Sequence, residues 1–183
     1  MMGNIVARRY ARALFAIGQK EGADELQKYG QELSTLAELL HGAPELLRIF
    51  KNPIFGTDKK RAVLEKVVER LDLSTIVKNF CFLLAEKDRV AFLPEIQSYY
   101  STLLDEAQGI SRGRMVTAFE LADARRKEIS RKLEEQADRK VILDFEVDEG
   151  ILGGLVLKMG DMVFDASLRA QLESIKENIK RGE

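Results

Sequence analysis

Three glycines near the C-terminus, Gly153, Gly154 and Gly160, come nearest to a chemical motif in type and spacing. Glycine-rich loops cradle phosphate groups when they lead into a helix N-terminus and are followed by Gly-Lys-Ser/Thr. Here no such continuation follows, and the glycines lead into the segment LVLKM, which is typical of a strand. The pattern therefore favours a structural role, in which Gly153-Gly154 permits a bulge or close strand packing and Gly160 supplies a positive φ angle.

The other chemically capable side chains form no catalytic constellation. The chain has one histidine, His41, and one cysteine, Cys81. One histidine and one cysteine provide almost no soft ligands for zinc or iron, and a single cysteine cannot form an internal disulfide. They also allow few nucleophile-base pairs that work near neutral pH. Carboxylate pairs such as Glu134-Glu135 fall on a predicted helix surface, where solvation explains them. We expect no catalytic residue, no cofactor and no metal.

Both single residues have a simple structural interpretation. His41 stands at the predicted end of a helix, near the negative carbonyl ends of its dipole. Cys81 lies among apolar residues of another predicted helix, where a cysteine is more often a small buried hydrophobe than a reactive thiol. Neither is expected to act as a ligand or a nucleophile.

Composition restricts the class of protein further. The 183 residues are 45% hydrophobic and 32% charged, with 29 basic against 30 acidic side chains. A chain of this length buries roughly 70% of its unfolded surface and needs no disulfide or metal to hold a core. Its near-zero net charge provides no field that attracts nucleic acid. Its apolar runs fall far short of the roughly 20 residues that span a membrane.

The first twenty residues predict an amphipathic helix, although four basic residues without an acid also resemble a targeting peptide. At about 100° per residue, one side collects Arg8, Arg9, Arg12, Gln19 and Lys20. The apolar side contains Val6, Ala7, Tyr10, Ala11, Ala13, Leu14, Ile17 and Gly18. Because this arc covers more than half of the circumference, the helix is either sandwiched inside a bundle or leaves part of its apolar face for a partner.

Helical spacing of apolar residues predicts six helices in the first half of the chain. After the first helix, they run over residues 24–40, 44–50, from about 57 to 71, 74–86 and 91–107. Thr57 or Asp58 is the expected N-cap of the fourth helix, and Asp123 that of a later one. Six helices with short connections are enough for an independent bundle.

The hydrophobic period changes from 3.6 to 2 after Gly109. Short apolar segments, RMVTAFEL, VILDFEV, LVLKM and MVF, predict strands around one helix, and Gly160-Asp161 predicts a hairpin turn. A last helix follows, with Leu168, Leu172, Ile175 and Ile179 in one stripe. The predicted fold is therefore mostly α: a six-helix bundle over residues 1–108, followed by a small α/β domain over 109–183.

Residues 141–160, VILDFEVDEGILGGLVLKMG, resemble the signature of the delta subunits of F-type ATP synthases, which are similar to the mitochondrial oligomycin sensitivity conferral protein. The matching positions are Val141, Leu143, Val147, Asp148, Ile151, Gly153, Gly154, Leu155, Leu157, Lys158 and Gly160. VARRYARALF at 6–15 and FLLAEKDRVAFLPEI at 82–96 resemble the same family. The resemblance thus reaches both halves of the chain.

The resemblance implies a non-catalytic stator subunit that links the catalytic head to the membrane sector and resists rotation during proton-driven ATP synthesis. It implies an N-terminal bundle that binds the amphipathic N-terminal helix of an alpha subunit between its first and fifth helices. It also implies a C-terminal domain that binds the b subunits of the peripheral stalk. One copy per complex is expected, on the cytoplasmic side of the bacterial inner membrane and attached to it only through the complex.

By family position, Tyr10, Ala13 and Leu83 are expected in the alpha-subunit groove. The resemblance also suggests Leu14, Ile17 and Phe80, for which a role in the bundle core is equally compatible with the sequence. The stripe of the last helix either closes the small sheet or contacts the b subunits. Two other classes remain possible: an unrelated two-domain helical adaptor or peptide-binding chaperone, and a hydrolase that uses carboxylates.

Overall fold

The computed structural model describes residues 5–160 and 162–181. The chain divides into two compact units, with the boundary between Leu104 and Asp105. The first unit is built from helices, and the second contains a four-stranded sheet with helices. The predicted fold class, a helical bundle followed by a small α/β unit, is confirmed.

Six α-helices follow one another in the first part of the chain, as the periodicity predicts. They are α1 (Ile5–Glu21), α2 (Ala23–Gly42), α3 (Pro44–Lys51), α4 (Thr57–Glu69), α5 (Thr75–Glu86) and α6 (Leu93–Ala107), with a 3-10 turn at Val90–Phe92 before α6. Their bounds agree with the predicted ones to within a few residues. The first four residues of the predicted first helix lie outside the described part of the chain.

The bundle core is formed by the apolar stripes of these helices. Leu14, Leu33, Val77 and Ile96 are at most 1% exposed, so each of four helices contributes a fully buried side chain. Tyr100 is also fully buried, and its hydroxyl donates to the carbonyl oxygen of Leu26 at 2.9 Å. Because its polar atom is satisfied, the ring lies in the core without the cost of an unpaired hydroxyl.

The predicted N-caps of two helices are wrong. Helix α4 begins at Thr57 and has Gly56 in the cap position, and the later helix at Asp123 has Ala122 there, in both cases without a side-chain cap hydrogen bond. Asp58 and Asp123 lie instead in the first helical turns, where a carboxylate still interacts favourably with the helix dipole. Residues of the types that favour an N-cap are thus present at both helix starts, but they lie inside the first turn rather than at the cap position.

A buried carboxylate fixes the start of α5 against α2. Glu32 is only 8% exposed, and its two oxygens accept from the backbone N–H of Ser74 at 2.9 Å and from the Ser74 hydroxyl at 2.7 Å. Ser74 in turn caps α5 by accepting from the N–H of Val77 at 3.4 Å. Hydrogen bonds to a charged acceptor are stronger than neutral ones, so this contact determines where α5 begins.

A buried lysine fixes the chain just after α5. Lys60 of α4 is 2% exposed, and its Nζ donates to the carbonyl oxygen of Phe50 at 2.9 Å and to Asp88 Oδ1 at 2.6 Å. Asp88 has a φ of 53°, the left-handed conformation in which the chain turns after α5. The sequence predicted an apolar buried side for α4, and Lys60 was missed because a lysine rarely lies in a core unless it is paired.

The second unit is a mixed sheet with two helices. Its elements are β1 (Ile110–Thr117), α7 (Asp123–Ala137), β2 (Lys140–Val147), a 3-10 turn at Glu149–Ile151, β3 (Leu155–Met159), β4 (Met162–Asp165) and α8 (Leu168–Arg181). The strand order is β2-β1-β3-β4, in which β1 and β2 are parallel and the other pairs antiparallel. The parallel pair needs a crossover, and α7 provides it.

The core of this unit is small. Met115, Val141 and Leu157, one from each of three adjacent strands, are 2%, 5% and 6% exposed. The predicted alternation along β2 weakens toward the end of the strand, since Val147 is 49% exposed. All four residues of the edge strand β4 are exposed. No helix among residues 5–160 and 162–181 is long and apolar enough to cross a membrane.

Candidate partner-binding groove

Helices α1 and α5 meet through two aromatic rings. The ring centroids of Tyr10 and Phe80 lie 6.1 Å apart at an interplanar angle of 69°, an edge-to-face arrangement. Arg89, which follows α5, lies 5.4 Å above the Tyr10 ring and donates to its hydroxyl at 2.8 Å. The relative position of the two helices is therefore held by an aromatic pair, a cation-π contact and a hydrogen bond.

The wide apolar arc of α1 is divided between the core and the solvent. Ala7, Ala11, Leu14 and Gly18 are buried. Ala13 and Ile17 are exposed, and 43% of Ile17 remains accessible. A Cβ on Gly18 would lie 3.1 Å from side-chain atoms of Leu26 and Tyr29, which shows that α1 approaches α2 closely. Part of the apolar surface of α1 is therefore left uncovered by the described residues of the bundle.

Helix α5 shows the same division. Val77, Cys81 and Leu84 are fully buried and Phe80 is 7% exposed. Leu83 is 42% exposed although it lies between the half-buried Phe82 and the buried Leu84 in sequence. An exposed leucine is ordinary by itself, but this one lies on the helix that contacts the half-exposed face of α1. We call the surface formed by Tyr10, Ala13, Ile17 and Leu83 the α1/α5 groove.

The six side chains that the sequence singled out thus fall into two groups. Ala13, Ile17 and Leu83 are exposed and Tyr10 is half-buried, so these four are accessible to a partner. Leu14 and Phe80 are 1% and 7% exposed and belong to the bundle core. Leu14 and Phe80 are therefore core residues, as one of the two interpretations of the sequence expected. They can contribute to the groove only by packing under the residues that line it.

Sequence reasoning missed Arg89 as part of this site. It lies in the turn after α5, 79 positions from the tyrosine that it contacts. No local spacing links residues so distant in sequence. The one available signal was that Arg89 belongs to the segment at 82–96 that resembles a known family.

The three glycines shape the backbone: Gly160 has the predicted positive φ, and Gly153-Gly154 closely approach residues that follow β4 rather than a strand. Gly160 has a φ of 56° in the turn between β3 and β4, as expected, whereas its predicted turn partner Asp161 lies outside the described residues. Gly154 has a φ of 84°, and a Cβ at this position would lie 2.3 Å from the carbonyl oxygen of Ala166. Gly153 accepts a hydrogen bond from the N–H of Leu168 at 3.0 Å. Gly153 and Gly154 thus shape the backbone that leads into β3, and Gly160 shapes the turn that follows β3.

The thiol of Cys81 is expected to be unreactive in the folded protein. The residue is fully buried, which confirms the predicted apolar role, and burial, followed by the charge of Glu32, raises the pKa of the thiol to about 12. Since the thiolate is the nucleophile, we expect a thiol-reactive disulfide at pH 8 to modify Cys81 at least about 100-fold more slowly in buffer than in urea. Equal rates in both solvents would contradict this assignment.

No other feature of the described residues forms a chemical site. Within residues 5–160 and 162–181, no cluster of three or more histidine, cysteine or acidic side chains is placed to hold a metal ion. An open hollow of about 340 Å³ lies between α7 and β2. The guanidinium of Arg126 in this hollow already donates to the carbonyl oxygen of Leu121 and to Glu120 and lies over Phe145. His41 is exposed in the last turn of α2.

A second apolar surface lies on the last helix. The predicted stripe of α8 is exposed along its whole length: Leu168, Leu172, Ile175 and Ile179 are 48%, 59%, 55% and 72% accessible. Most of the stripe is therefore not buried against the small sheet, and contact with the b subunits stays a prediction. Met162, Val163 and Phe164 of β4 are also more than half exposed.

Comparisons with known proteins cover nearly the whole chain. The family model described as ATP synthase delta (OSCP) subunit matches residues 6–179. The protein named ATP synthase subunit delta from Nitratidesulfovibrio vulgaris strain DP4 is 55% identical over 183 residues and both chains are covered completely. The protein of the same name from Oleidesulfovibrio alaskensis is 56% identical with the same coverage. That from Lawsonia intracellularis is 45% identical and covered to 97%.

A solved structure supports the fold. A chain of the Toxoplasma gondii mitochondrial ATP synthase hexamer superposes with a TM-score of 0.70, covering 96% of this chain and 98% of that one. Its identity is 21%, so this likeness concerns the fold alone. The sequence relatives and the family model carry the assignment. The chain belongs to the ATP synthase delta (OSCP) subunit family.

Proposed function

We propose that this chain, a peripheral stalk subunit of ATP synthase by family, holds the N-terminal helix of an alpha subunit in the α1/α5 groove. The single observation that carries this proposal is the division of the apolar arc of α1, which leaves Ala13 and Ile17 exposed beside the helix that bears Leu83. An amphipathic helix buries its apolar face in such a groove through residues spaced by three or four positions.

The rigidity of the groove supports the same proposal. The Tyr10 ring is held by Phe80 and Arg89, so one wall of the groove is ordered before any partner arrives. Preorganised side chains lose little conformational entropy on binding. Less of the favourable interaction free energy is then offset, so binding is tighter. We infer that the partner helix folds onto a surface that changes little.

The C-terminal unit is proposed to bind the b subunits through α8. Four exposed apolar side chains in one stripe are costly to leave in water and typical of a helix with a partner. The stripe is Leu168, Leu172, Ile175 and Ile179. Attachment at both units would let the chain link the catalytic head to the stalk and oppose rotation of the head.

This role is mechanical, and we propose that the chain itself catalyses no reaction. One copy per complex is proposed, since a single link at the top of the head is sufficient for the function. The relatives at 55% and 56% identity are bacterial proteins, which supports a place on the cytoplasmic side of the bacterial inner membrane. Attachment there would depend on the other subunits.

Co-purification from membranes tests the function. We expect the tagged chain, expressed in its own organism and extracted in mild detergent, to recover both alpha and b subunits. Leu172→Asp places a charge in the α8 stripe, and it is expected to lose at least about 90% of the b subunits while retaining alpha, because a charged group is costly to bury in an apolar contact. Phe119→Asp, which makes the same change in charge at an apolar position of the second unit that is 64% exposed and outside the stripe, is the matched control.

The alternative functions give different results in the same experiment. A general adaptor or chaperone would recover many unrelated proteins with exposed apolar segments and no stoichiometric alpha or b subunit. Recovery of alpha and b by Leu172→Asp as efficiently as by the unmodified chain would overturn the assignment of α8 while leaving the groove assignment in place.

A further inference from the structure

Two cationic side chains border the exposed apolar strip of α1. Successive helical residues are turned by about 100°, so Lys20 lies about 20° beyond Ala13 around the helix and Arg9 about 40° beyond it. Both side chains are exposed. They therefore form the outer rim of the α1/α5 groove, on the side of α1 that faces away from its buried residues.

These two charges are not neutralised within the described part of the chain. Neither Arg9 nor Lys20 has an ion pair with any carboxylate in residues 5–160 and 162–181. Arg8, by contrast, lies on another side of α1 and donates from Nε to the Tyr99 hydroxyl at 3.0 Å. The two rim cations are thus available to a partner in a way that Arg8 is not.

The carboxylates near the end of α5 are already engaged elsewhere. Glu86 pairs with Arg61 at 3.4 Å, and Asp88 pairs with Lys60 at 2.6 Å. Both partners belong to α4, so these acids offer no compensation for the rim charges. The groove consequently has an apolar floor and a positively charged rim on α1.

The two rim charges are also spaced regularly. Lys20 follows Arg9 by 11 positions, which is about three helical turns and about 16 Å along the axis. A partner helix that runs alongside α1 has the same rise per residue. Side chains on it that meet both cations must therefore also lie about 11 residues apart on one edge of its apolar face.

From this arrangement we propose that the occupant of the groove is an acidic-edged helix, with two carboxylates about 11 residues apart that pair with Arg9 and Lys20. The inference rests on the proposed function, which supplies the helical partner, and adds the charge pattern by which that helix is selected. Ion pairs at the solvent-exposed edge of an interface contribute little affinity, but they accelerate association and exclude partners of the wrong charge.

Three peptides test the charge pattern on the full-length chain. Each carries the first ~25 residues of the alpha subunit of the same organism, long enough to form a helix when bound. They differ only at two edge positions 11 residues apart, which are Glu, Gln or Lys. Calorimetry at about 50 mM salt is expected to give about fivefold tighter binding for Glu than for Gln and weaker binding still for Lys. At about 500 mM salt the differences should largely vanish.

A pair of charge variants assigns the effect to the rim. Arg9→Gln with Lys20→Gln should remove the preference for the Glu peptide over the Gln peptide. Arg139→Gln with Lys140→Gln makes the same change in net charge at exposed residues of the second unit and should retain the preference.

The outcomes separate this inference from the proposed function. Equal affinity for the three peptides would overturn the acidic-edge proposal and leave the groove intact. If both double variants lose the preference for the Glu peptide equally, the effect comes from net charge. That result would also overturn the proposal that Arg9 and Lys20 select the partner helix. Binding of none of the peptides would overturn the proposed function and this inference together.

Discussion

Leu83→Asp is expected to weaken binding of the alpha-subunit helix by about 100-fold while the helical unit remains folded. The side chain is 42% exposed in the free protein, so a carboxylate there is hydrated and costs little stability. In the complex it would lie against an apolar face, and a hundredfold loss corresponds to about 2.7 kcal/mol, within the range for burying a poorly compensated polar group. Calorimetry with the N-terminal peptide of the alpha subunit measures the change.

Ile54→Asp is the matched control for this variant. Ile54 lies in the same unit between α3 and α4, is 84% exposed and receives the same charge, yet it lies outside the α1/α5 groove. Its affinity for the peptide should equal that of the unmodified chain. A folded Leu83→Asp protein that binds as tightly as the control would eliminate the groove assignment.

Tyr10 is a less clean position for the same test. Its ring packs against Phe80, and its hydroxyl accepts from Arg89 at 2.8 Å. Tyr10→Asp would remove the ring contact and place a carboxylate beside the guanidinium, so it changes the bundle and the groove together. Leu83 separates binding from stability, whereas Tyr10 does not.

Gly154→Ala is expected to destabilise the second unit by about 3 kcal/mol. The residue has a φ of 84°, which is strained for any residue with a Cβ, and the added atom would lie 2.3 Å from the Ala166 carbonyl oxygen. Backbone must move to relieve that contact, because no flexible side-chain end is involved. Hydrogen exchange of the β1 and β3 amides reports the loss in the unit where the change is made.

Gly160→Ala serves as its comparison. Gly160 also has a positive φ, 56°, but no atom lies within 4 Å of the position that its Cβ would occupy. Gly160→Ala has the cost of a positive φ but no steric clash, so its free energy of unfolding should fall by only about 1 kcal/mol. Equal losses in the two variants would show that the close approach to Ala166 is unimportant, and unchanged exchange in the α2 and α5 amides would confirm that the effect is local.

The helices and strands were predictable because their hydrophobic periods are local. Each of the six first helices carries apolar residues at three- or four-residue spacing, and the change of period after Gly109 is visible without any tertiary information. Helix starts were less predictable, since Thr57 and Asp123 are suitable caps by type but lie one position inside their helices. A shift of one residue leaves periodicity unchanged, so the pattern does not resolve it.

The site was predictable only in part. Family position indicated Tyr10, Ala13 and Leu83, and the width of the apolar arc on α1 indicated surplus surface. The separation of Leu14 from Ile17 required the fold, because both occupy the same arc and only the position of α2 and its neighbours decides which is covered. Arg89 and Lys60 were unpredictable, since each acts through residues distant in sequence.

The buried charges at the two ends of α5 have a mechanical consequence. Glu32 holds the start of this helix through Ser74, and Lys60 holds the turn that follows it through Asp88. A helix that is anchored at one end can detach by losing its contacts one after another from the free end. A helix that is anchored at both ends detaches only after one of the two anchoring contacts is broken. Because Glu32 and Lys60 are buried, although Asp88 is half-exposed, salt weakens these contacts less than it weakens surface ion pairs. Helix α5 is therefore expected to resist a force applied at either end better than a helix that is anchored at one end only.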